Sequence, residues 1–168
     1  MKTRSVVSIA IVTAACMLGA LAQGYAATDQ QNLTINATVS AKAKLTVGVA
    51  AINFADADPD SVPSIAATEN PVSVTVKAQT GGGSSITLTV QANGDLDSGT
   101  DTIDISNVTW TATGAGFVAG TMDTTAQAAG SWTGPGRHDG TFSYQLANSW
   151  DYAAGSYSQT VVYTLTAP

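Results

Sequence analysis

A strict alternation of apolar and polar residues runs from Leu33 to Ala51, and it constrains the fold more than any other feature. The odd positions of this stretch are all apolar: Leu33, Ile35, Ala37, Val39, Ala41, Ala43, Leu45, Val47, Val49 and Ala51. A period of two residues places these side chains on one face of a β-strand. One unbroken strand would measure roughly 63 Å at ~3.3 Å per residue, longer than the strands of compact domains. We therefore expect a break between Ser40 and Lys44, with an outer segment before it.

Shorter alternating stretches downstream predict further strands. They cover residues 72–77, 86–90, 103–110, 142–146 and 157–165. We expect a bulge at Ser106-Asn107, a turn at Gly81-Gly82-Gly83 and a polar loop over 56–70. In the Gly- and Ala-rich stretch 114–139 the sequence predicts only one short edge strand, over 116–119. Short strands separated by turns, with no helical period between them, predict an all-β fold, a single antiparallel β-sandwich.

The first 26 residues have the organisation of a secretory signal peptide. Lys2 and Arg4 precede the apolar run 6–21, which is shorter than the roughly 20 residues of a transmembrane helix. Cleavage is expected after Ala26, with Ala22 as the alternative site. We therefore expect an exported chain without a membrane span.

Removal of the signal peptide changes the charge and the cysteine content of the chain. Loss of Lys2 and Arg4 changes the net charge from −6 to −8. Nucleic acid is excluded as a partner, because phosphate binding needs clustered lysine and arginine. The only cysteine, Cys16, lies in a Thr-Ala-Ala-Cys context that resembles a lipoprotein box, and this leaves lipidation as an alternative to cleavage.

Carboxylates at alternate positions make Asp56, Asp58 and Asp60 the best candidates for a metal site, and Ca²⁺ is the metal they suit. The EF-hand pattern fails, because Ser61 stands where glycine is required and Ala67 where the bidentate glutamate is required. Solvated acidic turns explain the same residues. We therefore predict no bound metal or other cofactor, with Ca²⁺ as the alternative.

Catalytic groups are scarce in this chain. His138 is the only histidine, and the turn formers around it predict a solvated position. We predict no catalytic residues and no enzymatic activity. Trp110 alternates with Val108 and is expected in the core. Trp132 and Trp150 stand beside turn residues, so they either cap the end of the sandwich or stack against a sugar ring.

Both ends of the mature chain resemble the subunits of chaperone–usher pili, in the archaic branch related to spore coat protein U. The resemblance rests on the Thr-rich alternating run 32–40, on 45–54, and on the closing run 155–165 with its Gly-x-Tyr and alternating end. It implies an immunoglobulin-like sandwich that lacks one strand, which the N-terminal segment of a neighbouring subunit supplies. Periplasmic chaperone and outer-membrane usher are then the implied assembly partners.

On this interpretation residues 27–43 are a detachable donor segment and residues 44–168 are the sandwich. The buried phase of the donor strand would be Leu33, Ile35, Ala37 and Val39. The expected product is a head-to-tail homopolymer, a fibre on the cell surface. Subunits of this kind commonly carry a cysteine pair, which the mature chain lacks. A monomeric sandwich that binds glycan or cell wall through Trp132 and Trp150 is the alternative.

Overall fold

The computed structural model describes residues 27–168. The predicted signal peptide, its two cleavage sites and Cys16 lie outside the described residues. The chain divides into one unit that ends at Ala37 and a second unit, Thr38–Pro168. Residues 27–37 form no helix or strand and are exposed to solvent.

The second unit is antiparallel and sandwich-like, and no α-helix occurs among residues 27–168. Its strands are β1 (Lys42–Val47), β2 (Ser64–Ala66), β3 (Val72–Gln79), β4 (Ser85–Ala92), β5 (Leu96–Asp97), β6 (Thr102–Ile103), β7 (Val108–Thr113), β8 (Gly120–Thr121), β9 (Gln127–Thr133), β10 (Gly136–Ala147) and β11 (Val161–Thr166). The first sheet has the order β1-β3-β10-β7-β8, and β2 also pairs with β10. The second sheet has the order β11-β4-β9, while β5 and β6 form a small separate hairpin.

The core follows from the alternation of the central strands. In β3 and β4 every second residue is buried, because one face of each strand meets the opposite sheet. Phe142 on β10 is fully buried and lies near the rings of Trp110 (centroids 6.4 Å) and Tyr163 (6.2 Å). Each such apolar side chain contributes roughly 1.5–3 kcal/mol on burial. The prediction that Trp110 is a core residue is confirmed, since only 3% of it is exposed.

The predicted all-β fold is confirmed, but the last strand begins at Val161 instead of residue 157, and three further local differences occur. Strand β2 lies inside the stretch 56–70 that was predicted as a loop, and it pairs with the end of β10. Three residues are too few for alternation to be visible in the sequence. The bulge predicted at Ser106-Asn107 is instead a 3₁₀ turn over Ile105–Asn107, in which the Asp104 carboxylate accepts the Ser106 N–H (2.8 Å).

The third difference is the stretch 114–139. It contains β8, β9 and the start of β10, whereas the edge strand predicted over 116–119 is absent. Phe117 forms only a single bridge with Gly130. At the other end of the fold, β1 begins at Lys42, so the last two residues of the predicted segment 27–43 belong to this strand.

Candidate functional site

Backbone hydrogen bonds close one edge of the sandwich. They join the β7–β8 connection, from the first sheet, to β9 in the second. Val118 N donates to Ala129 O (3.0 Å), and Ser131 N donates to Gly116 O (2.8 Å). We call this the closed edge.

Trp132 fills the closed edge. Only 8% of it is exposed, and its Nε1 donates to the carbonyl oxygen of Ala115 (2.7 Å). Phe117 packs against the indole edge-on (4.8 Å, 73°), and His138 stacks on it (4.9 Å, 17°). Two expectations are therefore wrong: Trp132 is not a loop side chain available to a ligand, and His138 lies on strand β10 rather than in a solvated turn.

Two glycines make room for this indole. A Cβ at Gly116, which has a positive φ of +83°, would lie 2.2 Å from Trp132 Nε1. A Cβ at Gly130 would lie 2.3 Å from the far edge of the ring. The Gly-rich composition that obscured the alternation of residues 114–139 is thus the condition for packing the tryptophan against backbone.

The opposite edge of the sandwich, between β1 and β11, is open. Within residues 27–168, β1 pairs with no strand except β3, and β11 with none except β4. Their inward-facing side chains contact the core but are only half-buried: Leu45, Val47, Val161, Tyr163 and Leu165. The inward residues of the neighbouring β3 and β4, in contrast, are almost completely buried. We call this side of the fold the open edge.

Tyr163 anchors the open edge to the core. Its ring stacks on Phe142 (6.2 Å, 15°), and its hydroxyl shares a hydrogen bond with the hydroxyl of Tyr144. Burial raises the pKa of both tyrosines, so both phenols stay protonated at neutral pH. Removal of one hydroxyl would leave the other buried without this partner.

The apolar side chains of the predicted donor strand are exposed to solvent. Leu33 and Ile35 are both 85% exposed and Val39 is 75% exposed, while Ala37 is also exposed. Residues 27–41 form no strand. Three large apolar side chains of this segment are therefore left without packing partners of their own.

Trp150 lies at one end of the sandwich, in the loop after β10. It is 69% exposed, and its Nε1 donates to Asp60 Oδ1 (3.1 Å). Asn148 fixes the loop, because its Nδ2 donates to the carbonyl oxygens of Ala57 (2.9 Å) and Val62 (3.0 Å). The indole face therefore stands in solvent on a loop whose base is held by hydrogen bonds.

The three candidate metal ligands lie in the loop that Asn148 holds. Asp58 Oδ1 accepts the backbone N–H of Asp60 (2.9 Å), and Asp60 accepts the indole N–H of Trp150. No cluster of three or more histidine, cysteine or acidic side chains suitable for a metal forms within residues 27–168. Asp58 and Asp60 thus accept hydrogen bonds within this turn and from the neighbouring loop.

The fold and these features define an all-β, sandwich-like domain with one closed and one open edge, preceded by an exposed alternating segment. In the described part of the chain, no helix has the length and apolar character needed to span a membrane. Comparison with protein family models and with curated proteins found no match.

Proposed function

We propose that this protein is the structural subunit of an extracellular fibre and polymerises by donating its N-terminal segment to a neighbouring copy. On this proposal the sandwich is immunoglobulin-like and incomplete, and residues 27–41 of the next subunit enter the open edge. Residues 1–26 direct export, and the subunit has no enzymatic role. Transfer of one strand from each copy to the next does not close on itself, so it generates a filament.

The observation that carries the proposal is the difference between the two edges. The closed edge is sealed by backbone hydrogen bonds and by Trp132, whereas the open edge exposes the inward faces of β1 and β11. The same chain carries an exposed segment, residues 33–39, whose sequence alternates apolar and polar residues. An added apolar strand would cover the open edge, and residues 33–39 have the alternation of such a strand.

Strand addition would cover both the open edge and the apolar side chains of residues 33–39. Backbone groups of the donor would pair with the free edges of β1 and β11, which is the usual mode of strand addition. Its large side chains Leu33, Ile35 and Val39 would each contribute roughly 1.5–3 kcal/mol on burial. They would also cover the half-buried side chains of the open edge, so both the acceptor and the donor would bury apolar surface.

Insertion requires the open edge to widen. Cα atoms of β1 and β11 come within 8 Å of each other in places. A strand between them needs roughly 9.6 Å, twice the ~4.8 Å spacing of paired strands. An unpaired, partly apolar edge is also an aggregation hazard before assembly. A periplasmic chaperone that occupies the edge, and an outer-membrane usher that exchanges it for the donor, would meet both needs.

The test is a pair of substitutions on the two phases of the donor. Ile35→Asp places a carboxylate on the apolar phase and should abolish polymerisation, because an unpaired charge enters an apolar groove. Thr34→Asp, the matched control, places the same charge on the outward phase and should polymerise normally. Deletion of residues 27–40 should give monomers that never polymerise. The measurements are electron microscopy of the cell surface and gel filtration of the purified protein.

Three results would contradict the proposal. Normal fibres from the deletion variant would show that the segment is not donated. Equal tolerance of Ile35→Asp and Thr34→Asp would mean that neither phase is buried. Loss of fibres from Thr34→Asp alone would mean that the apolar phase has been misassigned.

A monomeric glycan- or cell-wall-binding domain is the second candidate. The exposure of Trp150 favours it, because an indole face on a fixed loop is suited to stacking on a sugar ring. Trp132 no longer supports it. A polysaccharide pull-down with Trp150→Ala tests this candidate, and retention equal to wild type would exclude it.

A further inference from the structure

Every basic residue after residue 26 lies on the outer face of the first sheet, in one patch. The basic residues are Lys42, Lys44, Lys77 and Arg137. They line a shallow, open cavity of about 530 Å³ at the end of the sheet where β1 and β10 begin. Lys44 lies directly opposite Lys77, and Lys77 directly opposite Arg137, so a row of cations crosses three strands. We call this surface the basic patch.

The basic patch is not electrically balanced. Its only acidic neighbour in register is Asp139, which pairs with Arg137 (Nε–Oδ2 2.7 Å, Nη2–Oδ1 2.9 Å). Hydrogen bonds from Arg137 and from Thr75 lower the pKa of Asp139 to about 2. Four cations and one carboxylate leave a net charge of +3 on a chain whose net charge is otherwise strongly negative.

Edge protection explains only part of this patch. Lysines on an edge strand discourage unwanted strand pairing, and Lys42 and Lys44 lie on β1. Lys77 and Arg137 lie on β3 and β10, which are interior strands of the sheet. Like charges directly opposite each other destabilise a sheet. The row across β1, β3 and β10 therefore indicates an anionic partner.

Ten of the twelve acidic residues lie at the other end of the second unit. Of the twelve, Asp29 precedes the second unit and Asp139 lies in the basic patch. The other ten lie between β1 and β3, between β4 and β7, between β8 and β9, and between β10 and β11. These connections join the strands at the end of the fold where β10 finishes, roughly 34 Å from Arg137 at ~3.4 Å per residue of β10. We call this the acidic end.

We propose that the basic patch of one copy docks against the acidic end of the next copy, so that an ionic junction accompanies each donated strand. The inference rests on the proposed function. The donor segment continues directly into β1, whose first residue is Lys42, so the basic patch of the donating copy is the surface that reaches the acceptor first. The acidic end exposes Asp56, Asp58 and Asp60 in one loop, together with Asp95, Asp97, Asp101, Asp104 and Asp151 elsewhere, so the surface that would meet the patch is strongly negative.

This junction also fixes the direction of the donor. Strand β11 begins at the acidic end, where Asn93 N donates to Thr160 O (3.0 Å), and finishes at the other end, where Thr80 hydrogen-bonds Pro168. A donor that leaves the groove at the acidic end must run antiparallel to β11. The opposite direction would bring two basic patches together.

A charge swap tests the junction. The double variant Lys44→Glu/Lys77→Glu changes the net charge of the patch from +3 to −1, so that both ends of each copy are negative. Asp56→Lys/Asp60→Lys makes the acidic loop positive. Each variant alone should polymerise about tenfold or more slower than wild type at ~50 mM salt, because steering by charge affects association rates on this scale. A 1:1 mixture should recover the wild-type rate, since each copy then meets a complementary neighbour.

Matched controls separate charge from folding and from strand donation. Two double variants change the net charge by the same amount, −2. Thr87→Glu/Thr111→Glu lies outside the patch and should polymerise normally. Lys44→Gln/Lys77→Gln removes two charges of the patch and should slow polymerisation. Capture of a synthetic peptide of residues 27–41 by the Ile35→Asp protein should be unaffected when Lys44→Glu/Lys77→Glu is added, because the peptide carries no basic patch.

The outcomes distinguish the junction from the proposed function. Wild-type rates for both charge variants, with Ile35→Asp still inactive, would overturn the junction and leave strand donation intact. Slow polymerisation of each variant without recovery in the mixture would also overturn it. Normal polymerisation of Lys44→Glu/Lys77→Glu with lost retention on dextran sulfate would assign the patch to an anionic polysaccharide instead. A wild-type protein that never polymerises and never captures the peptide would overturn the proposed function, and the junction with it.

Discussion

Substitution of Trp132 by alanine should destabilise the protein by about 4–5 kcal/mol. Large-to-small changes of buried aromatic residues cost roughly 3–5 kcal/mol, and Trp132 is 8% exposed. The change also removes the aromatic contacts with Phe117 and His138 and the only side-chain donor to the Ala115 carbonyl oxygen. Gly116 and Gly130 present backbone and no side chain to the indole, so they offer no side-chain atoms that could move in to fill the cavity. The upper part of the range is therefore expected.

Urea unfolding at neutral pH, followed by circular dichroism, measures this effect. Trp150→Ala is the matched control, because it removes the same side chain from an exposed loop and should change the free energy of unfolding by less than about 0.5 kcal/mol. Trp132→Phe keeps a ring but loses the indole N–H, so an intermediate loss of about 2 kcal/mol is expected. In a thermal scan, Trp132→Ala should lower Tm by roughly 10–15 °C.

The result that would refute this reasoning is a loss below about 1.5 kcal/mol for Trp132→Ala, or similar losses for Trp132→Ala and Trp150→Ala. Either outcome would mean that the closed edge is not sealed by the indole. The contrast between the edges, on which the proposed function depends, would then lose its main support.

Three further predictions concern single contacts. Hydrogen bonds from Arg137 and Thr75 hold the pKa of Asp139 at about 2, below the unfolded value near 4. The stabilising effect of the ionised carboxylate is therefore present above about pH 4 and is lost as the pH falls through about 2. The free energy of unfolding, measured in urea, should decline less over this range in Asp139→Asn, and an unchanged decline would contradict this. Gly116→Ala should lower the free energy of unfolding by about 2 kcal/mol or more, because φ is positive at this position and the added Cβ would meet the indole. Gly82→Ala, whose Cβ would have no neighbour within 4 Å, should change the free energy of unfolding by less than about 0.5 kcal/mol. Tyr163→Phe should cost about 1–3 kcal/mol by leaving the Tyr144 hydroxyl without its partner, and adding Tyr144→Phe should restore most of that loss; additive losses in the double variant would argue against the shared hydrogen bond.

The sequence predicted the strands that obey alternation and missed those that depend on tertiary contacts. Strands β3 and β4 alternate over eight residues each, because one face is buried and the other is wet. Strand β9 could not be found in this way, since Gly130 interrupts it and Trp132 packs against backbone. His138 was misplaced for the same reason: neighbouring glycines suggested a turn, while the strand they belong to lies beside the indole.

In the candidate site, too, the sequence predicted the local features and missed those that depend on tertiary contacts. The apolar phase of residues 33–39 is a local property of the chain and was predicted from the residues alone. The open edge depends on which strands become neighbours, and the alternation of Val161, Tyr163 and Leu165 does not reveal that β11 has one partner instead of two. The basic patch was hidden as well, because Lys44, Lys77 and Arg137 are distant in sequence and meet only through strand register.

If the chain is the fibre subunit proposed above, its unequal edges explain how a protein with a single cysteine can both fold and assemble. At 142 residues after the predicted signal peptide, the chain is long enough to bury a core without cross-links. The closed edge uses its tryptophan, glycines and backbone hydrogen bonds to complete the core locally. On the proposed function, the open edge leaves part of the core to be covered by the donor, so the free energy of covering it would be available for assembly. A subunit of this design should be more resistant to unfolding inside the fibre than as a monomer, because anything that binds only the folded form stabilises it.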